Sequence, residues 1–398
     1  MIRFVQMMLA CVGVLVLGPI GVNGAEPAAA AEKDLGQLEQ RFQAGLDAIC
    51  TKYQLPGMTA AYALPDGQVV AFASGLADKE SGAKMTPDVR MPAGSIGKTF
   101  VAAAIIGLAQ DGKLSLDDKA EKWLGEEAWF ADLPNGREMT IRNLLMHRGG
   151  VADHIYDPAF IAAVQQMVRG LDTDPDYYFK PVELVGYILK RKPLFAPGQG
   201  YKYTDTGYIL LGLIAERAGG ASYYDQVRAR FLTPLGLKLT EPADHRDIPN
   251  LAAGYLAVKN PFGLPEKITA DGKLRYNPLS EWTGGGLVSN PQDLAHWAKT
   301  LYEGRALEKP YLDELLATDP KDEKKSSKYG LGVYISKSPL GTSYGHGGWS
   351  VGYLSHVDYY PAQRVAVAVQ TNTDVRDDML GDLMAMIKDV LDTVGPAK

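Results

Sequence analysis

Ala93-Gly94-Ser95-Ile96-Gly97-Lys98-Thr99-Phe100 is the stretch on which the reading of this chain turns. Apolar and small residues then recur at Ala103, Ala104, Gly107 and Leu108 before Gly112, which predicts a helix from near Ser95 to Gly112 with one buried face. Three residues along a helix is close to one turn, so Ser95 and Lys98 share a face and the lysine nitrogen can reach the serine hydroxyl. A serine hydroxyl is a weak nucleophile at neutral pH and needs a basic partner. The first turn of a helix also offers unpaired N–H groups and a positive field to an oxyanion formed there. Ser-x-x-Lys on its own arises often by chance on surface helices, so its meaning depends on what the rest of the chain brings to it.

Two distant stretches bring partners. Tyr201-Lys202-Tyr203-Thr204-Asp205 follows Phe195-Ala196-Pro197-Gly198 and precedes a helical run from Ile209 to Ala218. A loop tyrosine beside a cation can shuttle protons if the charge lowers its pKa. Gly345-His346-Gly347-Gly348-Trp349 reads as a glycine-rich strand edge, where a backbone can approach a ligand and offer an N–H.

Around these stretches the pattern is mixed. An amphipathic helix is expected from about Lys33 to Lys52, with Cys50 as a buried apolar residue on its Leu38–Phe42–Leu46–Ile49 face. Strands follow at Met58–Ala63 and Gln68–Ser74, joined by the turn Pro65-Asp66-Gly67. Residues from about 112 to 285 are mostly helical, with segments at Ile141–Met146, Pro158–Val168, Val182–Leu189 and Tyr223–Leu232. Another helix is expected at Ser289–Leu301, then strands at Tyr329–Ile335, Ser343–Gly345, Tyr353–Tyr359 and Arg364–Gln370, and a last helix at Met379–Leu391. This order implies an α/β (α+β) fold in which one sheet is built from both ends of the chain and a helical lobe packs beside it.

The motifs and their order resemble the serine β-lactamase and penicillin-binding-protein-like hydrolases, in particular the branch of class C β-lactamases, D-Ala-D-Ala carboxypeptidases and esterases (peptidase family S12). The resemblance runs from Pro56-Gly57 to Gln370-Thr371-Asn372. It includes Gly75-Leu76-Ala77-Asp78, Leu116-Asp117-Asp118, Thr140 to His147 with Gly149-Gly150, Tyr203-x-Asp205, Gly285-Gly286-Leu287-Val288-Ser289, Tyr329-Gly330-Leu331-Gly332 and His346-x-Gly348. The resemblance implies a β-lactamase/transpeptidase-like fold, an antiparallel sheet flanked by helices. It implies Ser95 as the acylated nucleophile, Lys98 and Tyr203 as general base and acid, and the N–H groups of Ser95 and Trp349 as oxyanion donors. Asp205, His346, Gly348 and Trp349 would line the substrate, a small molecule or short peptide, and no cofactor is implied.

Two residues depart from the family's pattern. Asp205 stands where asparagine is common; a carboxylate cannot donate a hydrogen bond, and beside Lys98 it keeps the lysine charged. His346 stands where lysine is common, and an unperturbed histidine is mostly neutral near pH 7, a weaker clamp for a carboxylate. Asp205 counts against Lys98 as a free-amine base and shifts weight to Tyr203, while His346 counts against an efficient β-lactamase and leaves ester, amide or D-peptide substrates open, with a class C-type β-lactamase as the alternative. Arg148 replaces a smaller residue after His147, without an evident reason in sequence. An α/β-hydrolase is the rival enzyme, but its oxyanion loop should precede the serine and no βαβ series surrounds Ser95. A binding or sensor protein that kept the fold and lost turnover is the non-enzymatic rival.

Composition narrows the rest. A net charge of −6 argues against nucleic acid. The Lys321–Lys328 stretch also carries Asp322 and Glu323 and reads as a solvated loop. His147, His154, His245, His296 and His356 have no metal-ligand spacing and read as surface or structural residues. Arg3, the apolar run Phe4–Leu17 and the small residues that follow form a secretory signal, with cleavage after Gly24 or Ala30. The run falls short of the ~20 residues of a spanning helix, so no permanent anchor is expected once it is removed. Residues 1–30 are thus assigned to signal and linker and 31–398 to a single hydrolase domain, periplasmic or secreted. Oligomeric state is not legible.

Overall fold

The computed structural model describes residues 28–171, 173–256, 260–374 and 379–397, so the expected signal peptide lies outside the described residues. The chain enters on helix α1 (Ala28–Lys52), whose first turn takes in the alanines read above as a linker. Strands β1 (Gly57–Ala63), β2 (Val69–Asp78) and β3 (Ala83–Lys84) follow. After the helical lobe come β4 (Ser327–Tyr329), β5 (Tyr334–Ser338), β6 (Gly341–Ser350), β7 (Tyr353–Tyr360) and β8 (Val365–Thr371). Together they form one eight-stranded antiparallel sheet in the order β3-β2-β1-β8-β7-β6-β5-β4. The two chain ends meet where Met58 pairs with Thr371 and Ala63 with Ala366.

Alternation along β1 explains why every residue in it is buried. Met58, Ala60 and Tyr62 face α1, where they pack with Leu38, Phe42 and Leu46 and with Ile387 of the C-terminal helix Leu380–Val394. Ala61 and Ala63 face the opposite core, shared with the helical lobe. Cys50 is buried beside that first layer and is a free thiol.

Helix α2 (Gly97–Gln110) sits in the larger core with Gly97 through Leu108 all buried. The expectation of one buried face is therefore too narrow: this helix is enclosed all round by sheet and lobe. Its Phe100 ring stacks on Trp297 of helix Pro291–Tyr302, centroids 3.9 Å apart, a contact worth about 1 kcal/mol beyond the area it buries. The expected strand Tyr329–Ile335 is instead a tight reversal. Gly330 N–H donates to the Val333 carbonyl at 2.8 Å, Gly332 takes φ +79°, and Tyr329 then pairs with Tyr334 across the β4–β5 hairpin. In the lobe, helix α3 (Asp205–Gly219) is the central element and packs against α2.

Candidate active site

Three segments converge at the N-terminus of α2. The first is the 3-10 turn Gly94–Ile96, which carries Ser95. Gly94 takes φ +53°, and a Cβ there would lie 2.6–2.8 Å from the backbone O, N and C of Trp349. Only glycine allows that approach. Gly97 plays the same part on the other side, because a Cβ on it would lie 2.9–3.0 Å from the backbone of Gly285. A Cβ on Gly348 would overlap the Ala93 carbonyl oxygen, which accepts a hydrogen bond from Ser355 Oγ at 2.6 Å. The serine turn is thus clamped between strand β6 and the Gly285 turn by close backbone contacts, with the Ser355 hydroxyl fastening Ala93.

Lys98 is fully buried and its ammonium has three acceptors. It donates to Ser95 Oγ at 3.1 Å, to the Asp205 carboxylate and to the Gly284 carbonyl. An ammonium has three N–H bonds, so all of them are used and no lone pair is left to take a proton.

Tyr203 precedes α3 and its hydroxyl is buried without a hydrogen-bond partner. Burial first, then the Asp205 charge, push its pKa well above the ordinary value, while the Ser95 hydroxyl pulls weakly the other way. The expected lowering by a neighbouring cation is therefore overturned. Lys202 points away, its nitrogen 6.0 Å over the Tyr156 ring, and although Lys98 Nζ lies 5.0 Å over the Tyr203 ring, desolvation outweighs it. Tyr203 is a neutral phenol at rest.

What holds Tyr203 in place is His147, read in sequence only as a surface or structural residue. Its carbonyl accepts from Lys202 N–H at 3.0 Å and its Nδ1 from Thr204 N–H at 3.2 Å, bracketing Tyr203. The rings lie 4.1 Å apart. This bonding assigns the imidazole proton to Nε2, and burial keeps the ring neutral by pushing its pKa well below the usual value. Its place in the Leu144-Leu145-Met146-His147 stretch was the available signal.

Arg148, unexplained in sequence, ties this corner down. Its guanidinium is buried and pairs with Asp319 at 3.1 Å and Asp322 at 2.5 Å, while also reaching the Gly200 carbonyl at 3.3 Å. Lys321 Nζ adds a bond to the Gly198 carbonyl at 3.2 Å. The stretch expected to be a solvated loop is therefore partly a strap over the tyrosine turn, with Asp322 buried in it.

His346 lies deeper than its place on a strand edge suggests. It is 2% exposed, its Nδ1 lies 2.7 Å from the Gly347 carbonyl and its Nε2 3.0 Å from the Tyr329 hydroxyl. Burial, helped by the Lys98 charge, lowers its pKa to about 3. It is neutral, in line with the sequence reading, and is bonded to Tyr329. Beside the ion pair, Asp153 is buried and pushed up to about 8 by desolvation and then by the Asp205 charge. Its neighbour His154 is lowered to about 4, mainly by burial, with Nδ1 2.9 Å from Thr206 Oγ1. Among the described residues no His, Cys, Asp or Glu cluster could hold a metal ion.

The site thus joins a partly buried Ser–Lys pair, a tyrosine in the loop before α3 and a glycine-rich strand against the serine turn. The Beta-lactamase family model matches residues 35–390. This chain belongs to that family. It is 27% identical over 294 residues to penicillin-binding protein 4* of Bacillus subtilis, covering 70% of this chain and 60% of the relative. It is 25% identical over 299 residues to a D-aminopeptidase of Brucella anthropi, covering 74% of this chain and 52% of the relative. The chain thus spans only part of the length of these two relatives. Among solved structures it superposes on a D-stereospecific amidohydrolase from Streptomyces sp. with TM-score 0.73 and 27% identity, over 90% of this chain and 98% of the other. The chain has the β-lactamase/transpeptidase-like fold of that family. No helix among the described residues is long and apolar enough to cross a membrane.

Proposed function

We propose that this protein is an exported hydrolase that cleaves an ester, amide or D-peptide bond through an acyl-enzyme on Ser95. The observation that carries the reading is the contact of Ser95 Oγ with Lys98 Nζ at 3.1 Å beside the unpartnered Tyr203 hydroxyl. Lys98, already saturated, acts as a fixed cation that favours the serine alkoxide rather than as the base. Tyr203 then serves as a shuttle: as Ser95 attacks the carbonyl, its proton passes to the Tyr203 oxygen while the phenolic proton passes to the leaving group. No net charge is left on the tyrosine, which suits a phenol whose ionisation is disfavoured. The N–H groups of Ser95 and Trp349 hold the oxyanion, and water reverses the shuttle to release the acid. The names of the relatives support this range of bonds, and D-stereospecific amide cleavage is named for the Streptomyces neighbour. On this reading residues 31–398 form one hydrolase domain behind a signal peptide, with a small-molecule or short-peptide substrate.

The experiment is to expose the full mature chain to a fluorescent fluorophosphonate and a fluorescent penicillin, and to assay p-nitrophenyl esters. Label on Ser95, abolished in Ser95→Ala, with turnover reduced about a hundredfold or more in Tyr203→Phe, is the expected result. A folded chain that takes no label on Ser95 overturns the reading in favour of a non-catalytic binding protein.

A further inference from the structure

One acid at this cleft has no part in the proton path. Glu281 caps the 3-10 turn Trp282–Gly284, the turn whose last carbonyl accepts from Lys98. The next residue, Gly285, lies so close to the serine turn that a Cβ on it would sit 3.0 Å from Ser95 N. The Glu281 carboxylate accepts a hydrogen bond from Ser350 Oγ at 2.8 Å, and Ser350 follows Trp349 on β6. Glu281 therefore spans the two segments that flank Ser95, and it is only half-buried.

Among the described residues nothing neutralises it. Its one hydrogen bond is from Ser350, and among the described residues it forms no ion pair. The nearest lysine, Lys98, is already shared by Asp205, Gly284 and Ser95. Desolvation first, and the Asp205 charge against the pull of Ser350 and Lys98, hold its pKa up to about 7. Tyr276 stands beside Glu281 and Ser350 with its hydroxyl buried and unpartnered, and Tyr224 is the other titratable group that feels the acid. The Glu281 carboxylate, with Ser350 as its single hydroxyl donor, and the unpartnered Tyr276 hydroxyl leave acceptor sites unfilled among the described residues.

We propose that Glu281, with Ser350 and Tyr276, binds a primary ammonium carried by the acyl part of the substrate next to the scissile carbonyl. This rests on the Ser95 acyl-enzyme reading and adds the chemistry of the acyl group to it. A cation docked there completes the ion pair that the free protein lacks, and ionised Glu281 is the form it selects. Hydrogen-bonded charge pairs of this kind are worth roughly ten- to a hundredfold in binding.

The test compares p-nitroanilides of alanine, both enantiomers, with that of propionic acid, which lacks only the amine. In the wild-type protein kcat/KM for one alanyl enantiomer should exceed that for propionyl by about tenfold or more. Glu281→Gln should lower that ratio by about the same factor, through KM. A ratio near one in the wild type overturns the proposal, as does an unchanged ratio in Glu281→Gln with both substrates equally slowed, which marks a structural tie only. A binding measurement free of turnover runs alongside. Calorimetry should find 2-aminopropan-1-ol bound about tenfold tighter than propane-1,2-diol, a preference abolished in Glu281→Gln, and equal binding overturns the proposal. Because this arm needs no acylation, failure of the hydrolase reading, seen as no fluorophosphonate label on Ser95, is distinguishable from failure of the ammonium site.

Discussion

Lys98 and Asp205 form an ion pair directly behind Ser95, with the lysine side chain fully enclosed and the aspartate 14% exposed. A buried charge without a partner costs several kcal/mol, so this pair is held together by the penalty of breaking it. The proposed chemistry follows from the pair: with Lys98 held by three acceptors, proton transfer is assigned to Tyr203.

Replacing Asp205 with Asn removes the counter-charge while keeping the shape. Stability should fall by about 3 kcal/mol, read as a lower urea midpoint with an unchanged slope. The new amide can donate where the carboxylate could not, so acylation by a fluorescent penicillin should rise roughly three- to tenfold, the worth of one neutral hydrogen bond. Acylation that stays flat or falls would show that this position does not restrain the site.

Gly94→Ala tests the backbone clamp. The added methyl would press on the Trp349 peptide while the residue is held at φ +53°. The left-handed conformation costs about 1–2 kcal/mol, and displacement of an oxyanion donor should lower kcat about a hundredfold. Gly112→Ala supplies the comparison: φ is +68° there and the space is open, so the conformational cost should appear without loss of turnover. Equal activity in the two variants would remove Trp349 from the oxyanion site.

Asp153 yields a prediction about pH. Its folded pKa of about 8 lies above the unfolded value of about 3.9, so between these limits the folded state binds a proton that the unfolded state has released. Stability contributed by this group is therefore lost as pH rises from about 4 to about 8. Asp153→Asn keeps the oxygen that accepts the Ile155 and Asp205 N–H groups and cannot ionise. The variant should match the wild type near pH 4 and exceed it by up to about 5 kcal/mol at pH 8. Parallel melting curves for the two proteins across this range would discard the assignment.

Much of the frame was legible because the signals are local and periodic. Helix Pro291–Tyr302 begins one residue after Asn290, whose side chain caps Asp293 N–H, as the Asn-Pro signal implies. The β1 and β8 runs are apolar enough to announce buried strands, and Ser95, Lys98, Tyr203 and Asp205 do come together. What sequence misjudged depends on contacts between distant segments. Whether α2 has one buried face or all of them depends on what surrounds it. The state of Tyr203 depends on desolvation by His147 and its neighbours, which no spacing reveals, and His346 changes meaning once Tyr329 lies against its ring. Arg148 needed two aspartates more than 170 positions away in the chain.

The Arg148 tie to Asp319 and Asp322 has a consequence for anyone who would reshape this protein. Two loops that look independent along the chain move as one piece, because the guanidinium that fastens the strap also reaches the turn before Tyr203. Exchanging either loop alone for that of a relative would strand a charge in the interior and let the tyrosine drift. Recombination at this mouth has to carry Arg148 and its acidic partners across together, as a single inherited cassette.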